Sequence, residues 1–385
     1  MKKYKILLVV RHPVGGIRTF FRYFYRNFNI KQYAFTLISP DLPETKKLLN
    51  DLSILDLKYV LTKQDVSNKD FFQTVTKIIR SENFDLIHSH GFICGVSAVF
   101  GSVLKRIPHI LTLHETLTNE HFVKLGGSFG KIVLSLMLTM IDAIHCVSYD
   151  ARDNLLVYLK ILRFFKDKLI VILPGIEVER FLNPERKNLR MDLDLPEDAF
   201  LIGFLGRHMP EKGFRFLVDA LEHLNNKIKE LKKISTVLKT PVILSFNQED
   251  GFIREEKENV KMKGLSNQII FLPFVENVAS TLKGLDVVVM PSLREAGTLL
   301  ALETMVSGTP LIGTNCIGLR EMIKNTPATV VPAGDSLALS EALLKEMQNS
   351  STIKAKAFVE EAAIRYEAKK QAQELEKLIL KYLLK

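Results

Sequence analysis

The chain has 385 residues, which exceeds what one ordinary hydrophobic core holds and predicts two domains. Hydrophobic residues make up 47% of the chain and charged residues 25%, a composition that excludes a disordered protein. Three scattered cysteines without a C-x-x-C pair argue against a disulfide framework and a zinc site, and they fit a reducing compartment.

The formal net charge of +10 at pH 7 favours phosphate-rich partners or an anionic membrane surface. No nucleic-acid-binding motif accompanies this charge, so the sequence predicts no nucleic-acid partner. The chain opens with a short apolar run, Ile6 to Val10, rather than a secretory signal. The most apolar later stretch, Ile132 to Val147, is interrupted by Asp142 and is shorter than the ~20 residues that span a bilayer. We therefore expect a cytoplasmic protein.

The first predicted strand, residues 4–10, leads to a glycine pair, Gly15 and Gly16, and then to an amphipathic helix. In α/β proteins this order brings the backbone close to a ligand. The spacing is not G-x-G-x-x-G, so it does not indicate a dinucleotide site. A plain tight turn between strand and helix explains the pair equally well.

Two predicted helices, Thr19 to Phe28 and Asp153 to Lys168, combine aromatic and basic side chains. Such a helix either packs its aromatic rings in the core, with its cationic groups reaching solvent, or lies on a membrane surface. The core is the preferred interpretation for the first helix, and both interpretations stay open for the second.

Histidines stand at the ends of two further predicted strands: His88 and His90 on one, His114 on the next. Ligands of open α/β sheets collect at the carboxyl ends of strands. The His-x-His pair suggests a metal, but no third ligand follows at helical spacing, so we predict no metal site. Hydrogen bonds to neighbouring loops are the alternative role.

Between the first aromatic helix and the strand that ends at His90, the sequence predicts strands at Tyr33 to Ser39 and Leu57 to Leu61 and a helix at Lys69 to Arg80.

The second half opens with a predicted strand, Ala199 to Leu205, after a polar, linker-like segment from Asn183 to Asp198. Arg207 and Lys212 follow this strand, before another predicted helix. The planar fork of arginine and the point charge of lysine suit a diphosphate group. Two solvated cations beside a turn are the alternative.

The stretch from Pro291 to Pro310 contains two glutamates, Glu295 and Glu303, eight positions apart. A predicted buried strand, residues 287–290, precedes it, and residues 299–306 form a predicted helix within it. Gly297 lets a ligand approach the backbone, and Thr298 is the predicted N-cap. Two carboxylates at this spacing bracket a ligand of nucleotide-sugar length. A salt-bridged turn and an ordinary helical glutamate are the alternative.

This stretch resembles the E-x7-E signature of retaining GT-B glycosyltransferases of family 4, also called group 1. The preceding G-R and K-G motif resembles the family's diphosphate-binding turn. The chain departs from the family where Ala296, Gly297 and Thr298 replace Gly-Phe-Gly, and where Asn247 to Gly251 replaces a glycine-rich loop. The positions that match are Pro291, Ser292, Glu295, Glu303, Gly308 and Pro310, with Gly206, Arg207, Lys212 and Gly213.

The resemblance implies a GT-B fold: two doubly wound, Rossmann-like α/β domains that face a cleft. The implied domains are residues 1–178 for acceptor binding and 179–365 for nucleotide-sugar binding. A C-terminal helix at 366–385 would cross back to the first domain.

The implied activity is retaining transfer of a hexosyl group from a UDP- or GDP-sugar to a glycan or lipid-linked acceptor, in bacterial surface polysaccharide synthesis. No cofactor and no metal are implied, since the nucleotide-diphosphate sugar is a co-substrate. His114 and Glu295 are the implied catalytic residues, at the donor sugar. The implied donor-binding residues are Gly16, Arg207, Lys212, Phe274, Val275, Gly297, Thr298, Leu299 and Glu303.

Two alternatives remain open from the sequence. A non-catalytic binding or scaffold protein of the same fold would explain the missing glycine-rich loop. A nucleotide-sugar epimerase ranks below it, because epimerases of this fold lack the E-x7-E context. Attachment to the inner membrane face is a further expectation, whereas the donor sugar, the base, the acceptor and the oligomeric state stay open.

Overall fold

A computed structural model of the protein describes residues 3–123, 126–233, 238–247, 251–275 and 277–384. The chain divides into two compact units. Unit 1 comprises Met1–Gly175 and Glu367–Lys385, and unit 2 comprises Ile176–Tyr366. The division therefore falls within the turn Pro174-Gly175-Ile176-Glu177, ahead of the polar segment that the composition marks as a linker.

Unit 1 is built on a seven-stranded parallel sheet with the order β3-β2-β1-β4-β5-β6-β7. Its strand order reverses between β1 and β4, which is where doubly wound sheets bind ligands. The strands are β1 (Tyr4–Val10), β2 (Tyr33–Pro40), β3 (Leu57–Thr62), β4 (Leu86–His90), β5 (His109–Leu113), β6 (Ala143–Cys146) and β7 (Leu169–Val171). The helices are α1 (Gly16–Tyr25), α2 (Pro43–Asp51), α3 (Asn68–Ser81), α4 (Phe92–Lys105), α5 (Glu120–Val123), α6 (Ser128–Thr139) and α7 (Tyr149–Tyr158).

Unit 2 is built on a six-stranded parallel sheet with the order β10-β9-β8-β11-β12-β13. Its order reverses between β8 and β11. The strands are β8 (Ala199–Leu205), β9 (Thr240–Asn247), β10 (Ile269–Pro273), β11 (Val287–Met290), β12 (Leu311–Thr314) and β13 (Thr329–Val331). The helices are α8 (Glu179–Leu182), α9 (Leu189–Asp192), α10 (Phe214–Lys232), α11 (Ile253–Met262), α12 (Val278–Gly284), α13 (Leu299–Val306), α14 (Leu319–Met322), α15 (Ser336–Gln348), α16 (Thr352–Ala357) and α17 (Val359–Tyr366).

Both sheets have the sequence character of strands covered by helices on two faces. Residues Ile6 to Val10 of β1 and all of β11 are buried, as the near-continuous apolar runs of parallel strands require. Helices cover them with apolar faces: α10 buries Leu217, Leu221 and Leu224 at helical spacing. The predicted α/β class with two doubly wound sheets is confirmed.

The aromatic helix near the start of the chain is a core element. It ends at Tyr25, earlier than predicted, and five of its aromatic side chains are buried. A membrane-facing role for these rings is therefore wrong, and the core interpretation is confirmed. The buried rings are Phe20, Phe21, Tyr23, Phe24 and Tyr25.

The predicted single helix from Asp153 to Lys168 is wrong. Helix α7 ends at Tyr158, Leu159 leaves helical dihedrals at φ −113° and ψ 71°, and residues 160–168 continue as a 3-10 segment. The tighter segment turns Leu162 into the core and leaves Phe164 86% exposed.

The tail forms three helices, α16, α17 and α18 (Ala368–Leu383). The last helix packs on unit 1 and buries Leu375 and Ile379. Tyr382 Oη donates to the carbonyl of Asp142 at 3.0 Å, which fastens its end there. In the described parts of the chain, no helix has both the length and the apolar character needed to cross a membrane.

Candidate functional site

The two motifs of unit 2 follow neighbouring strands at the point where the strand order reverses. Val287 pairs with Ile202, and Val288 with Gly203, so β11 and β8 run side by side in the same direction. The loops that leave their carboxyl ends, residues 206–213 and 291–298, therefore meet at one edge of the sheet.

A partly buried ion pair joins these loops. Lys212 Nζ donates to Glu295 Oε1 and Oε2, at 2.8 Å each, and Ser292 Oγ donates to Oε1 at 2.8 Å. The Glu295 side chain is only 8% exposed, and its carboxylate is paired with the Lys212 ammonium group, as a buried charge requires. The structure thus brings the first glutamate of E-x7-E onto the lysine of the G-R and K-G motif.

Two glycines allow the backbones around this pair to approach closely. A Cβ on Gly213, whose φ is +70°, would lie 2.0 Å from the carbonyl oxygen of Pro291. A Cβ on Gly318, whose φ is +80°, would lie 2.3 Å from the carbonyl oxygen of Glu295. Only glycine fits both the dihedral and the space, so these positions fix the loop geometry.

A small cavity lies beside the ion pair. Its lining includes the polar residues Lys212, Ser292, Glu295 and Thr298, and its other lining residues are apolar and come from β8, β11, Pro291 and Leu300. Thr298 stands at the N-cap position of α13, as predicted, but its side chain makes no capping hydrogen bond. The helix thus begins at the cavity without a hydroxyl cap of its own.

The other predicted donor residues lie outside the lining of this cavity. Arg207 is exposed, and within the described ranges it has no ion pair. Glu303 lies on α13 and is 9% exposed. Phe274 follows β10 and is 51% exposed, and Val275 is half-buried. Gly297 and Leu299, on either side of Thr298, are partly exposed.

The end of β9, where a glycine-rich loop was expected by resemblance, carries polar side chains that surround a buried histidine. His208, which is 1% exposed, pairs through Nε2 with Ser245 Oγ at 2.9 Å, and its Nδ1 contacts the side-chain nitrogen of Asn247. The loop positions Gln248 to Asp250 lie outside the described residues. Sequence reasoning missed His208, although β8 and β9 are neighbours and place these residues at adjacent strand ends.

In unit 1, the glycine pair after β1 leaves the backbone open. Gly15 has a φ of +52° and precedes α1, and Gly16 is the first residue of that helix. A Cβ on either residue would meet no described atom within 4 Å. This open backbone fits the predicted approach of a ligand at Gly16.

His114 is one end of a chain of buried polar groups. His114 Nε2 lies 3.0 Å from His90 Nδ1, and His90 Nε2 lies 2.8 Å from Tyr25 Oη. Tyr25 Oη also lies 2.8 Å from His88 Nδ1. The phenol of α1 thus links the two histidines of β4.

The chain continues across the sheet to β6. His88 Nε2 lies 2.7 Å from Thr112 Oγ1, which lies 3.0 Å from His145 Nδ1. His145 Nε2 lies 3.0 Å from the carbonyl oxygen of Ile172. We call these six side chains, from His114 to His145, the histidine chain. Sequence reasoning found three of its four histidines, namely the two on β4 and the one after β5, but it missed Tyr25, Thr112 and His145.

Burial keeps these histidines neutral. It lowers the pKa of His114 to about 3 and that of His145 to about 4, with His145 adding to the effect on His114. It also lowers the pKa values of His88 and His90 well below their usual range, and the neighbouring histidines add to this. Within the described ranges, no group of three or more His, Cys, Asp and Glu side chains is arranged to hold a metal ion.

Two family models match the chain, one in each half. The model described as Glycosyltransferase Family 4 matches residues 14–180, and the one described as Glycosyl transferases group 1 matches residues 199–349. Together they include the histidine chain of unit 1 and the loops after β8 and β11 of unit 2.

Curated relatives carry glycosyltransferase names. The chain is 25% identical over 279 residues to the D-inositol 3-phosphate glycosyltransferase of Xylanimonas cellulosilytica, and this alignment covers 69% of the chain and 64% of the relative. It is 33% identical over 180 residues to the 2-deoxystreptamine N-acetyl-D-glucosaminyltransferase of Streptomyces fradiae, which covers 45% and 40%. The match thus spans less than two thirds of the length of these relatives.

Solved structures share the fold over almost the whole chain. Anabaena HepE in complex with UDP and glucose superposes with a TM-score of 0.81 at 17% identity, covering 98% of this chain and 100% of HepE. A glycosyltransferase from Rickettsia africae superposes with a TM-score of 0.77 at 20% identity, covering 100% of both chains. The fold is therefore GT-B, and with a family match in each unit the chain belongs to the family 4, group 1 glycosyltransferases.

Proposed function

We propose that this protein is a retaining glycosyltransferase that moves a hexosyl group from a nucleotide-diphosphate sugar to a glycan or lipid-linked acceptor without a metal ion. The observation that carries the proposal is the joining of Lys212 to Glu295 beside a cavity at the switch point of unit 2. The names of the curated relatives, and the UDP and UDP-glucose held by HepE, support a nucleotide-sugar donor.

The proposed roles follow the charge that develops during transfer. A leaving nucleoside diphosphate gains negative charge, and preorganised cations and backbone N–H groups stabilise it best. Lys212 and Arg207 supply the cations. The open start of α13, at Gly297 to Leu299, supplies backbone donors and the positive end of the helix dipole.

The remaining roles come from the family resemblance. Glu295 binds hydroxyls of the transferred sugar, and Glu303 binds the ribose. The backbone at Phe274 and Val275 reads the base, and Gly16 and His114 serve from unit 1. No covalent nucleophile is assigned, so transfer proceeds on the front face, with the leaving phosphate accepting the acceptor's proton.

The first test is a thermal-shift panel with UDP, GDP, ADP and their glucose and mannose derivatives. We expect one nucleoside diphosphate to raise the melting temperature of the wild type, because a ligand that binds only the folded state stabilises it. Glu303→Ala should lose this shift. Glu341→Ala, a change of an exposed glutamate on α15, is the matched control and should keep it.

A non-catalytic binding protein is the second candidate, and the end of β9 favours it. Asn247 to Gly251 replaces the family's glycine-rich loop, and Asn247 contacts His208 together with Ser245 of β9. A scaffold need not bind a nucleoside diphosphate. Absence of any shift in the panel would support the scaffold and contradict the transferase.

We also propose that unit 1 rests on an anionic membrane surface, such as the inner face of a bacterial membrane, with the protein otherwise cytoplasmic. Helix α6 exposes an apolar face and contains no acidic residue, and it packs against the 3-10 segment at 160–168. That segment adds the exposed Phe164 between two basic residues, Arg163 and Lys166. The exposed apolar residues of α6 and its end are Phe129, Ile132, Val133, Leu136 and Met140.

Vesicle sedimentation tests this attachment. The protein should sediment with vesicles of phosphatidylglycerol and phosphatidylcholine, and high salt should release it, because exposed charges are screened. Phe129→Ser with Leu136→Ser should abolish sedimentation. Equal binding to purely zwitterionic vesicles at all salt concentrations would contradict an electrostatic attachment.

A further inference from the structure

We infer that the histidine chain holds His114 as its Nε2–H tautomer, so that the Nδ1 lone pair of His114 accepts a hydrogen bond from a hydroxyl group of a bound sugar. This inference rests on the proposed function for the identity of the ligand. The tautomer itself follows from the hydrogen bonds of unit 1 alone. Its residues Tyr25, His88, His90, Thr112 and His145 act as positioning residues.

The direction of the chain is set at its far end. A carbonyl oxygen has no proton and only accepts, so His145 Nε2, 3.0 Å from Ile172 O, carries the proton. A neutral imidazole has one N–H, and His145 Nδ1 is therefore a lone pair. It accepts from the hydroxyl of Thr112, which lies 3.0 Å away.

Each later bond is then determined by the one before it. Thr112 donates its only hydroxyl proton to His145, so its oxygen accepts a hydrogen bond from His88 Nε2–H at 2.7 Å. His88 Nδ1 is consequently a lone pair, and the phenol of Tyr25 donates to it at 2.8 Å.

The near end repeats this logic. The oxygen of Tyr25 accepts from His90 Nε2–H at 2.8 Å, which leaves His90 Nδ1 as a lone pair. His114 Nε2–H donates to that lone pair at 3.0 Å. The proton of His114 is thereby committed, and its Nδ1 is an acceptor.

The opposite direction is excluded by the carbonyl of Ile172. Reversing every bond would place an unprotonated His145 Nε2 against Ile172 O, two acceptors at 3.0 Å. A doubly protonated histidine would break the chain elsewhere, but it would bury an uncompensated charge. Burial lowers the pKa values of all four histidines, which agrees with a neutral chain.

The open end of the chain is His114. Every other member of the chain is at most 2% exposed, whereas His114 is half-buried. Among the hydrogen bonds of the described residues, none reaches His114 Nδ1. The ring of Phe20 meets that of His114 edge-on, at 4.8 Å between centroids, and limits its rotation. A fixed, partly exposed acceptor selects a ligand that donates, and sugar hydroxyls are such donors.

Nitrogen NMR of the full chain labelled with 15N-histidine tests the tautomer without any ligand. We expect His114, assigned from its loss in His114→Gln, to show an unprotonated Nδ1 and a protonated Nε2. Thr112→Val keeps the side-chain shape, interrupts the chain and should give His114 a mixture of tautomers. Thr118→Val removes a threonine–histidine bond to the exposed His121, outside the chain, and should leave His114 unchanged.

Two results would overturn the tautomer assignment. One is a wild-type His114 protonated at Nδ1 or present as a mixture. The other is a Thr112→Val protein, folded by circular dichroism, in which His114 keeps the wild-type pattern. Tyr25→Phe interrupts the chain at a second point and should reproduce the Thr112→Val pattern. Agreement between the two variants would show that the change at His114 does not come from a local structural change around Thr112.

Titration with UDP and with UDP-glucose distinguishes the source of the hydroxyl. If the donor sugar supplies it, Thr112→Val should weaken UDP-glucose binding about fivefold and leave UDP binding unchanged. If the acceptor supplies it, both affinities stay unchanged and the KM for the acceptor rises.

Unchanged binding together with an unchanged acceptor KM would overturn the inference that His114 accepts a hydrogen bond from a sugar hydroxyl. Failure of the wild type to bind either nucleotide would contradict the proposed function, while the NMR result decides the tautomer independently.

Discussion

The two units hold their polar site residues in opposite electrostatic states. In unit 2, the nearly buried carboxylate of Glu295 forms an ion pair with Lys212 Nζ and accepts a hydrogen bond from Ser292 Oγ. In unit 1, four histidines keep no charge, and hydrogen bonds link them to one another through Tyr25 and Thr112. One site is held by charge pairing and the other by the direction of neutral hydrogen bonds.

The difference agrees with the ligands that we propose for the two sites. A diphosphate carries charge, so a cation that is already positioned by a carboxylate binds it without further ordering. A sugar hydroxyl is neutral, and a lone pair with one fixed direction recognises it. Breaking each arrangement should therefore have a different consequence.

The largest effect is expected from Lys212→Ala. If Lys212 stabilises the leaving diphosphate as proposed, removing this cation should lower kcat about 10²–10³-fold, the range typical of comparable electrostatic groups. Glu303→Ala should lower transfer and donor hydrolysis similarly. Radiolabelled sugar transfer measures both, and circular dichroism checks that the fold persists. Near-normal turnover in either variant would contradict its assigned role, and Glu341→Ala is the control for a lost carboxylate.

Acid should unfold unit 1 before unit 2. His88, His90, His109 and His145 are 0–2% exposed, and burial lowers their folded-state pKa values, to about 3 for His109 and about 4 for His145. Below about pH 6.5 the unfolded chain binds protons that the folded chain does not, so stability falls as pH falls. For each of these histidines, the free energy of unfolding falls by about 1.4 kcal/mol per pH unit until the pH reaches the pKa of that histidine in the folded state. Unit 2 has His208 at comparable burial.

The chain contains no tryptophan, so single tryptophans can report each unit separately. Tyr158→Trp reports unit 1 and Phe216→Trp reports unit 2, since both positions are half-buried. Between pH 7.5 and pH 5.5, the urea midpoint should fall further for the Tyr158→Trp protein. Equal shifts of the two midpoints would show that the buried histidines do not dominate acid stability.

Sequence reasoning was most accurate where local chemistry determines the structure. The strands at 199–205 and 287–290 and the helix at 299–306 begin and end as predicted. Each is an apolar run that glycine, proline or a polar turn interrupts. The helix break at Leu159 has no such signal, because the stretch from Asp153 to Lys168 contains neither glycine nor proline.

The sites were predictable in their parts but not in their connections. Lys212 and Glu295 were each predicted as ligand residues, yet their pairing depends on β8 and β11 being neighbours. The histidine chain depends on the order β4-β5-β6 and on α1 packing Tyr25 above it. Such links between distant segments leave no periodicity in one sequence.

Gly213→Ala should weaken unit 2 through its backbone. The alanine would adopt a φ of +70° and its Cβ would approach Pro291 O to 2.0 Å, so the loops after β8 and β11 must separate. We expect a loss of about 1–3 kcal/mol in the free energy of unfolding and a weaker nucleotide-induced thermal shift. Gly264→Ala, with a similar φ of +68° and no described atom near its Cβ, isolates the dihedral contribution. Equal losses in the two variants would show that the close approach to Pro291 contributes nothing.

The last comparison is between the loss of one hydroxyl in each site, and the smallest effect is expected from Ser292→Ala. Ser292→Ala removes one of the three hydrogen bonds that the described residues donate to the Glu295 carboxylate, and both bonds from Lys212 remain. The free energy of unfolding should therefore fall by about 0.5–1.5 kcal/mol. Thr112→Val strands two buried ring nitrogens that have no second partner among the described residues, and the loss should be about 1–3 kcal/mol. Urea unfolding of both variants at pH 7.5 measures the pair. A larger loss from Ser292→Ala would mean that the charged pair, rather than the neutral chain, is the arrangement that depends on a single hydroxyl.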